Sequence, residues 1–517
     1  MKQMRRALAF AALVALSSLA RPGGSQPPGS GSSSPQAAAG SPAPPEPSAR
    51  AAGAEPSRSG PRLDTTEARK RLEKLAAEVR GWGGRVGVMA IDVESGAPLL
   101  ALDEHGLYNP ASNAKLLTAA AALRALGPGH RYLTGLYGAP SGDTVPEVVL
   151  RGAGDPSLET RDLWEMARDL RAAGVRKVGA IAIDQSYFDD QYTPPAFEQQ
   201  PHEWAAFRAP IAAVSLNANT VTFTVRATAS GEPAVISVDP PGIVALQGRV
   251  ATSARSSPEK LLLDLEARED RLLARLNGNV PEGSRLIRVA RRVEDPRLLA
   301  AHALREVLEG VGIQITGGLR LGGERQKKLL VAHHSAPLGQ LLQPVGKDSD
   351  NFYAEMIFKS IAAEQQGRPG TAAHAAEGVA GMVEALGASD PGVVVRNGSG
   401  LFDANRISTS TLTRLLRAAY RDPALGADFV AQLAIGGVDG TLRGRFRAWA
   451  GRRAVRAKTG TLDGVAALSG FVLAPAGRSP VAFSILVNGI PGKVNDARRG
   501  MDRVVEALAR ELWEERR

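Results

Sequence analysis

The sequence predicts an α/β (α+β) protein whose core is a five-stranded antiparallel sheet flanked by helices, with β-rich domains inserted into it. Two apolar runs, residues 85–92 and 98–102, surround a Ser95-Gly96 turn and indicate a hairpin. Three further strand candidates lie towards the C-terminus, at residues 454–461, 466–473 and 481–488. Both ends of the chain therefore contribute to one sheet, and a long insertion separates them.

The chain between residues 128 and 290 has a different texture from its two ends. Short β-like runs, such as 221–226 and 234–238, are punctuated by Gly and Pro, with one helix near residues 162–173. We interpret this stretch as inserted domain material. The main domain then comprises residues 63–127 and 291–517, and its helices are expected at residues 63–80, 115–126, 297–308, 352–363 and 495–513.

The N-terminus is typical of an exported protein. Basic residues precede an apolar run, residues 7–16, and small residues end at Ala20, so residues 1–20 are expected to be a cleaved signal peptide. The apolar run is shorter than the roughly 20 residues that a membrane span requires. Residues 21–62 are dominated by Pro, Ser, Gly and Ala, which predicts a disordered linker. The signal peptide predicts that the main domain is periplasmic.

Composition excludes several classes of function. The 517 residues contain no cysteine, which leaves a hydroxyl, an amine or a carboxylate as nucleophile. The net charge of +10 comes without a basic run interleaved with aromatics, so we expect no nucleic-acid partner and only weak attraction to an anionic wall or membrane surface. The seven histidines show no metal-binding spacing, and no metal or cofactor is expected.

Three short motifs carry the chemistry: Ser112-Asn-Ala-Lys115, Ser349-Asp-Asn351 and Lys458-Thr459-Gly460. They match the S-x-x-K, S-D-N and K-T-G set of penicillin-interacting serine enzymes. Each alone is weak, because Ser257-Pro-Glu-Lys260 also satisfies S-x-x-K and Ser215-Leu-Asn217 satisfies S-x-N. The ordered set, each motif in a fitting local context, predicts a catalytic site.

Ser112 lies at the start of an apolar helix, where residues three apart share a face and the Lys115 amine can reach the hydroxyl. Unpaired N–H groups at a helix start favour a developing oxyanion. Lys115 can act as general base only if its pKa falls by about 3 units, which burial or a neighbouring cation would achieve. Lys458 is the candidate cation.

The other two motifs are expected to face the same cleft. Ser349 would pass a proton to the leaving amine, and Asn351 would hold substrate and Lys115. On a candidate strand, Lys458 and Thr459 would bind a substrate carboxylate, and Gly460 would admit the substrate backbone. The Thr461 N–H would be the second oxyanion donor.

At these residues the chain resembles the penicillin-binding protein 4 type of D-alanyl-D-alanine carboxypeptidase/endopeptidase, the low-molecular-mass class C penicillin-binding proteins. Similar stretches lie at residues 109–118, 154–158, 209–217, 348–356, 398–401, 437–442 and 457–462. The gap between the first two motifs is 349 − 112 = 237 positions, and it resembles the gap that this family fills with two inserted domains.

The resemblance implies a penicillin-recognising, transpeptidase/β-lactamase-like main domain that acts on peptidoglycan stem peptides. Ser112 would form the acyl-enzyme, Lys115 would accept its proton, and β-lactams would acylate the same serine. Asp184 is either an ordinary strand-end aspartate or a contact for a cationic group on the stem peptide. The sequence leaves the oligomeric state open.

The chain departs from the family pattern at Asn397, where Asp is usual, and at residues 345–348. Neither departure touches a proposed catalytic side chain. Two alternative functions stay open: a β-lactamase or esterase of the same superfamily, and a non-catalytic peptidoglycan-binding protein.

Overall fold

The computed structural model describes residues 63–322 and 328–514. The expected signal peptide and linker, residues 1–62, lie outside the described residues. Within the described ranges, no helix is both long enough and apolar enough to cross a membrane.

The secondary structure comprises nineteen strands and ten α-helices in the described part of the chain. The strands are β1 Arg85–Asp92, β2 Pro98–Leu102, β3 Leu133–Tyr137, β4 Thr144–Gly152, β5 Lys177–Asp184, β6 Thr220–Arg226, β7 Val235–Asp239, β8 Val244–Gln247, β9 Val250–Ser253, β10 Lys260–Ala267, β11 Leu272–Pro281, β12 Ile287–Arg292, β13 Gln314–Ile315, β14 Leu319–Leu321, β15 Leu329–His334, β16 Ala434–Ile435, β17 Val455–Leu462, β18 Val465–Val472 and β19 Val481–Asn488. The helices are α1 Thr66–Gly81, α2 Lys115–Leu126, α3 Thr160–Ala172, α4 Pro296–Gly310, α5 Leu338–Gln343, α6 Asn351–Gln365, α7 Ala372–Ala385, α8 Thr409–Arg421, α9 Gly426–Ala431 and α10 Val494–Trp513.

The predicted antiparallel sheet is confirmed, with one strand more than expected. Its order is β16-β17-β18-β19-β1-β2, and each neighbouring pair is antiparallel. The additional strand, β16, has only two residues, too few for the alternation by which a strand is recognised in sequence. Both ends of the chain meet in this sheet where β1 pairs with β19.

Helices cover both faces of this main sheet. All eight residues of β18 are buried, and successive side chains alternate between two hydrophobic cores. Ala467 and Phe471 lie in the core that contains α2, α6, α7 and α8, whereas Leu468 and Val472 lie in the core with α1 and α10. A strand buried on both faces reads as a continuous apolar run, as this one does.

The insertion forms three sheets. The first has the order β13-β5-β4-β3-β15, with β14 also paired to β5, and it packs against α3 and α4. The other two, β12-β6-β7 and β10-β11-β8 with β9 on β11, share a small core. Because β15 pairs with β3, the first sheet continues to His334, beyond the boundary at residue 290 expected from sequence. Residues 329–334 were not identified as a strand from the sequence, and so the end of the insertion was placed too early.

Candidate active site

The amine of Lys115, the first residue of α2, is the centre of the site. Its Nζ lies 3.1 Å from Ser112 Oγ, 2.7 Å from Asn351 Oδ1 and 2.7 Å from the Ser399 carbonyl oxygen. The amide and carbonyl oxygens can only accept hydrogen bonds, so each takes one N–H. The remaining position of a neutral amine is its lone pair, which then faces the Ser112 hydroxyl.

Burial makes the neutral amine accessible near physiological pH. Residues 115–123 of α2 are all buried, and Lys115 is 1% exposed. This burial lowers the pKa of Lys115 to about 7, although the Glu355 and Asp350 carboxylates act to raise it. A base with a pKa near the working pH is well suited to take a proton from a hydroxyl.

Ser112 lies on a 3₁₀ turn, Ala111–Ala114, immediately before α2. Asn113 anchors this turn to the sheet: its amide nitrogen donates to the Lys458 carbonyl (2.9 Å), and its amide oxygen accepts from the Ser469 N–H (3.2 Å). The nucleophile therefore has a fixed position relative to β17 and β18. The sequence placed Ser112 within the helix start, and the structure places it three residues earlier than the first α-helical residue.

Two glycines allow the surrounding chain to approach this turn. A Cβ on Gly460 would lie 2.9 Å from the Pro110 carbonyl oxygen, and a Cβ on Gly400 would lie 1.9 Å from the Ala111 carbonyl oxygen. Gly460 was expected to admit the substrate backbone. In the structure the nearest neighbours of such a Cβ are this turn and Ala467 of β18, so the glycine allows close packing within the site. Its expected role towards the substrate stays a prediction.

A second lysine lies on the adjoining strand. Lys458 on β17 is fully buried, and its Nζ donates to Ser349 Oγ (2.8 Å) and to the Thr459 carbonyl oxygen (2.8 Å). Burial and then the nearby Lys115 cation hold the pKa of Lys458 well below its ordinary value. Ser349 has a φ of 64°, in the left-handed region that non-glycine residues rarely adopt. The structure thus brings together the residues of all three motifs.

The rest of the K-T-G-T strand segment is held by neighbours that sequence reasoning did not identify. Thr459 Oγ1 lies 2.9 Å from Thr441 Oγ1, and Arg498 of α10 donates from Nη2 to Thr461 Oγ1. Arg498 carries no signal in the sequence, because its contact joins residues 37 positions apart.

Sequence reasoning also missed Glu355, which is 2% exposed. Its carboxylate accepts the backbone N–H groups of Gly398 (3.1 Å) and Ser399 (2.8 Å). The Ser399 carbonyl in turn accepts from Lys115. One signal was available: Glu355 lies four residues after Asn351, one helical turn along the same face of a largely apolar helix.

Asn397, the departure from the family pattern, is completely buried beside this turn. Its Nδ2 donates to the carbonyls of Pro195 (2.9 Å) and Leu401 (3.2 Å), and its Oδ1 accepts from the Gly400 N–H (2.9 Å). An amide suits this position because it supplies both donors and an acceptor.

Asp184 is not among the residues that the structure brings to Lys115. It ends β5 in the insertion, where it accepts from Arg151 Nε (2.6 Å) and the Ser186 N–H (2.9 Å). Burial alone would raise the pKa of Asp184, but these hydrogen bonds lower it overall. The described contacts are those of a strand-end aspartate.

A serine beside a buried lysine of lowered pKa, with a second lysine on the adjoining strand, defines the class of penicillin-interacting serine enzymes. The model of the D-Ala-D-Ala carboxypeptidase 3 (S13) family matches residues 68–511, and the chain belongs to this family. It is therefore a hydrolase of the D-Ala-D-Ala carboxypeptidase type, and the resemblance found in the sequence is confirmed.

Curated relatives and solved structures agree. A D-alanyl-D-alanine carboxypeptidase of an Actinomadura species is 34% identical over 459 residues, covering 84% of this chain and 83% of the relative. The D-alanyl-D-alanine carboxypeptidase DacB of Haemophilus influenzae is 25% identical, covering 79% and 86%. The crystal structure of penicillin binding protein 4 from Haemophilus influenzae shares the fold, with a TM-score of 0.71, 24% identity, and coverage of 86% of this chain and 99% of that one.

Proposed function

We propose that the chain cleaves D-alanyl peptide bonds in peptidoglycan stem peptides through an acyl-enzyme on Ser112, as carboxypeptidase, endopeptidase or both. The observation that carries this proposal is the arrangement at Lys115. The two N–H groups of the neutral amine point to Asn351 Oδ1 and the Ser399 carbonyl oxygen. The lone pair of the amine then faces Ser112 Oγ, which lies 3.1 Å from Nζ. The base is thereby directed at the nucleophile.

In the acylation step, Ser112 Oγ attacks the carbonyl carbon of the D-alanyl bond while its proton passes to Lys115 Nζ. The C–O ester bond forms, the C–N bond breaks, and the leaving amine takes a proton through the Ser349 hydroxyl. Lys458, 2.8 Å from Ser349 Oγ, supports this second transfer. Water then hydrolyses the ester and restores the Ser112 hydroxyl.

The remaining motif residues would hold the substrate. The backbone N–H groups of Ser112 and Thr461 would receive the oxyanion of the tetrahedral intermediate. Lys458 and Thr459 would bind a carboxylate or carbonyl of the substrate along β17, and Asn351 would bind the peptide backbone. The described partners of Asp184 do not support its proposed contact with a cationic group of the stem peptide.

β-Lactams would acylate Ser112 by the same attack. Opening the lactam ring leaves the departing nitrogen tethered to the acyl group, so it cannot diffuse away. A structure of the Haemophilus influenzae protein in complex with a β-lactam, with a TM-score of 0.67, supports this part of the proposal by its fold.

Residues 1–20 are proposed to export the protein to the periplasm and to be removed. The main domain is proposed to comprise residues 63–127 together with the chain beyond the first inserted sheet, which ends at His334. Peripheral association with the wall or membrane surface would follow from the net charge of +10.

Labelling with a fluorescent penicillin tests the proposal. Wild type and a Ser257→Ala control should be labelled equally, because Ser257 belongs to the second S-x-x-K match. The Ser112→Ala variant should not be labelled. Equal labelling of Ser112→Ala and wild type would disprove the assignment.

Two further measurements separate the alternatives. A β-lactamase would release the penicilloyl group within seconds, whereas the proposed peptidase would retain it. A non-catalytic wall-binding protein would release no D-alanine from peptidoglycan. Chromatography of digested peptidoglycan then distinguishes loss of terminal D-alanine from loss of cross-links.

A further inference from the structure

An arginine-rich segment directly precedes the strand that carries Lys458. Between Asp439 and Asp463 the sequence has seven cationic residues and no acidic one. Four of the cations, Arg443, Arg447, Arg452 and Arg453, are exposed, and we refer to these four as the arginine ridge.

The ridge is exposed because the apolar side chains of the same segment anchor it. Leu442, Phe446 and Trp449 are buried in the core shared with α1 and α10. Arg443 and Arg447 alternate with these buried side chains and are exposed, and Arg452 and Arg453 follow Trp449 at the end of a short 3₁₀ helix, Arg447–Arg452. The segment is thus an amphipathic surface element.

Neighbouring acidic residues do not neutralise the ridge. Asp439 is paired with Lys347 (2.7 Å), and Asp502 is paired with Arg445 (2.5 Å). Within the described ranges, no salt bridge joins an acidic side chain to a residue of the ridge. Burial lowers the pKa of the nearby Arg456, the Arg453 cation lowers it further, and Asp439 acts to raise it.

The ridge adjoins the proposed substrate strand at two points. Thr441, two residues before Arg443, contacts Thr459 through their hydroxyls at 2.9 Å. Arg453 precedes Lys458 by five positions, which along nearly extended chain is a distance on the order of 16 Å. A polymer with one peptide in the site can therefore extend over the ridge.

We propose that the arginine ridge binds carboxylate groups of the peptidoglycan strand beyond the peptide being cleaved. This inference rests on the proposed function, because it assumes peptidoglycan as the substrate. Free stem-peptide carboxylates repeat along such a strand, and planar guanidinium groups bind carboxylates with two parallel hydrogen bonds. Several weak contacts of this kind would favour polymeric wall over short peptides.

The test compares binding to purified peptidoglycan sacculi in a Ser112→Ala background, where cleavage cannot alter the result. Changing Arg443→Gln, Arg447→Gln and Arg453→Gln should weaken cosedimentation with sacculi about tenfold at low salt. Arg452 is left intact because it stacks on Trp449 and Trp513. The single change Arg447→Gln should give a smaller loss of binding. Its result, and the midpoint of thermal unfolding of each variant, show whether a folding defect causes the loss.

A matched control removes the same charge elsewhere. Arg226 on β6, Arg288 on β12 and Arg249 between β8 and β9 are exposed in the insertion. Substituting all three with Gln should leave cosedimentation within about twofold of the parent. Sacculi whose carboxyl groups have been amidated should bind the parent and the ridge variant equally weakly.

Three outcomes would overturn the inference: unchanged binding of the ridge variant, equal losses in the ridge and control variants, or undiminished binding to amidated sacculi. Failure of the proposed function has a separate signature, since wild type would then release neither D-alanine nor cross-linked peptide. The binding comparison does not depend on that release.

Discussion

Two regions of the chain satisfy the same S-x-x-K pattern, but they differ in burial, in hydrogen bonding and in secondary structure. Lys115 is 1% exposed and its amine contacts Ser112, Asn351 and Ser399. Lys260 is exposed at the start of β10, and within the described residues no hydrogen bond joins it to Ser257. Helical backbone brings side chains three apart onto one face, whereas a turn leading into a strand does not.

The comparison teaches that an S-x-x-K motif by itself supplies only a hydroxyl and an amine. Their chemistry comes from burial, which lowers the pKa of Lys115 to about 7, and from two acceptors that orient the lone pair. The two acceptors, Asn351 and the Ser399 carbonyl, lie more than 200 residues after Ser112 in the chain.

The largest expected effect is the loss of the base. A Lys115→Met substitution keeps an apolar chain of similar length in the buried helix but removes the proton acceptor. The rate constant for acylation by a β-lactam should fall about 10³-fold. Stopped-flow or timed labelling measures it, and Lys260→Met, the equivalent change in the second motif, should leave the rate unchanged. A comparable rate in Lys115→Met would assign the base to another group.

The second effect is the pH dependence of acylation in wild type. Lys115 must be neutral to accept the Ser112 proton, and its pKa of about 7 means that it is protonated below neutral pH. The acylation rate constant should therefore fall about tenfold for each pH unit below 7 and level off above it. A profile that is flat between about pH 5 and pH 7 would contradict an amine as base.

Sequence predicted the main sheet and the three motifs because both are local patterns: apolar strand runs and short residue sets on a helix, a loop and a strand. It did not predict β16, which is too short for its side chains to show an alternating pattern. It also did not identify β15 as a strand, and the pairing of β15 with β3 joins residues almost 200 positions apart. Glu355 and Arg498 were missed for the same reason, since their roles depend on contacts with distant chain segments.

A smaller effect is expected when one acceptor of the Lys115 amine is removed. Asn351→Ala leaves the Ser399 carbonyl as the remaining acceptor, so the lone pair is less strictly directed at Ser112. Losing one hydrogen bond to a charged or partly charged group corresponds to about 2 kcal/mol, or roughly a thirtyfold slower acylation. Asn217→Ala, in the S-x-N match of the insertion, is the control and should label at the wild-type rate. Its side chain bonds to Thr160 and Asp239 rather than to any motif residue.

The smallest expected effect tests whether Glu355 acts through its negative charge or only by supporting the turn at Ser399. The Glu355→Gln substitution keeps an oxygen that can accept the Ser399 N–H but removes the negative charge that raises the pKa of Lys115. The acid limb of the pH profile should then move to lower pH, while the plateau rate falls only several-fold. If Glu355 merely supported the turn, the plateau would fall and the limb would stay where it is. Measuring both in one acylation profile distinguishes these outcomes, and Glu364→Gln, on the same helix and bonded to Tyr187, supplies the control.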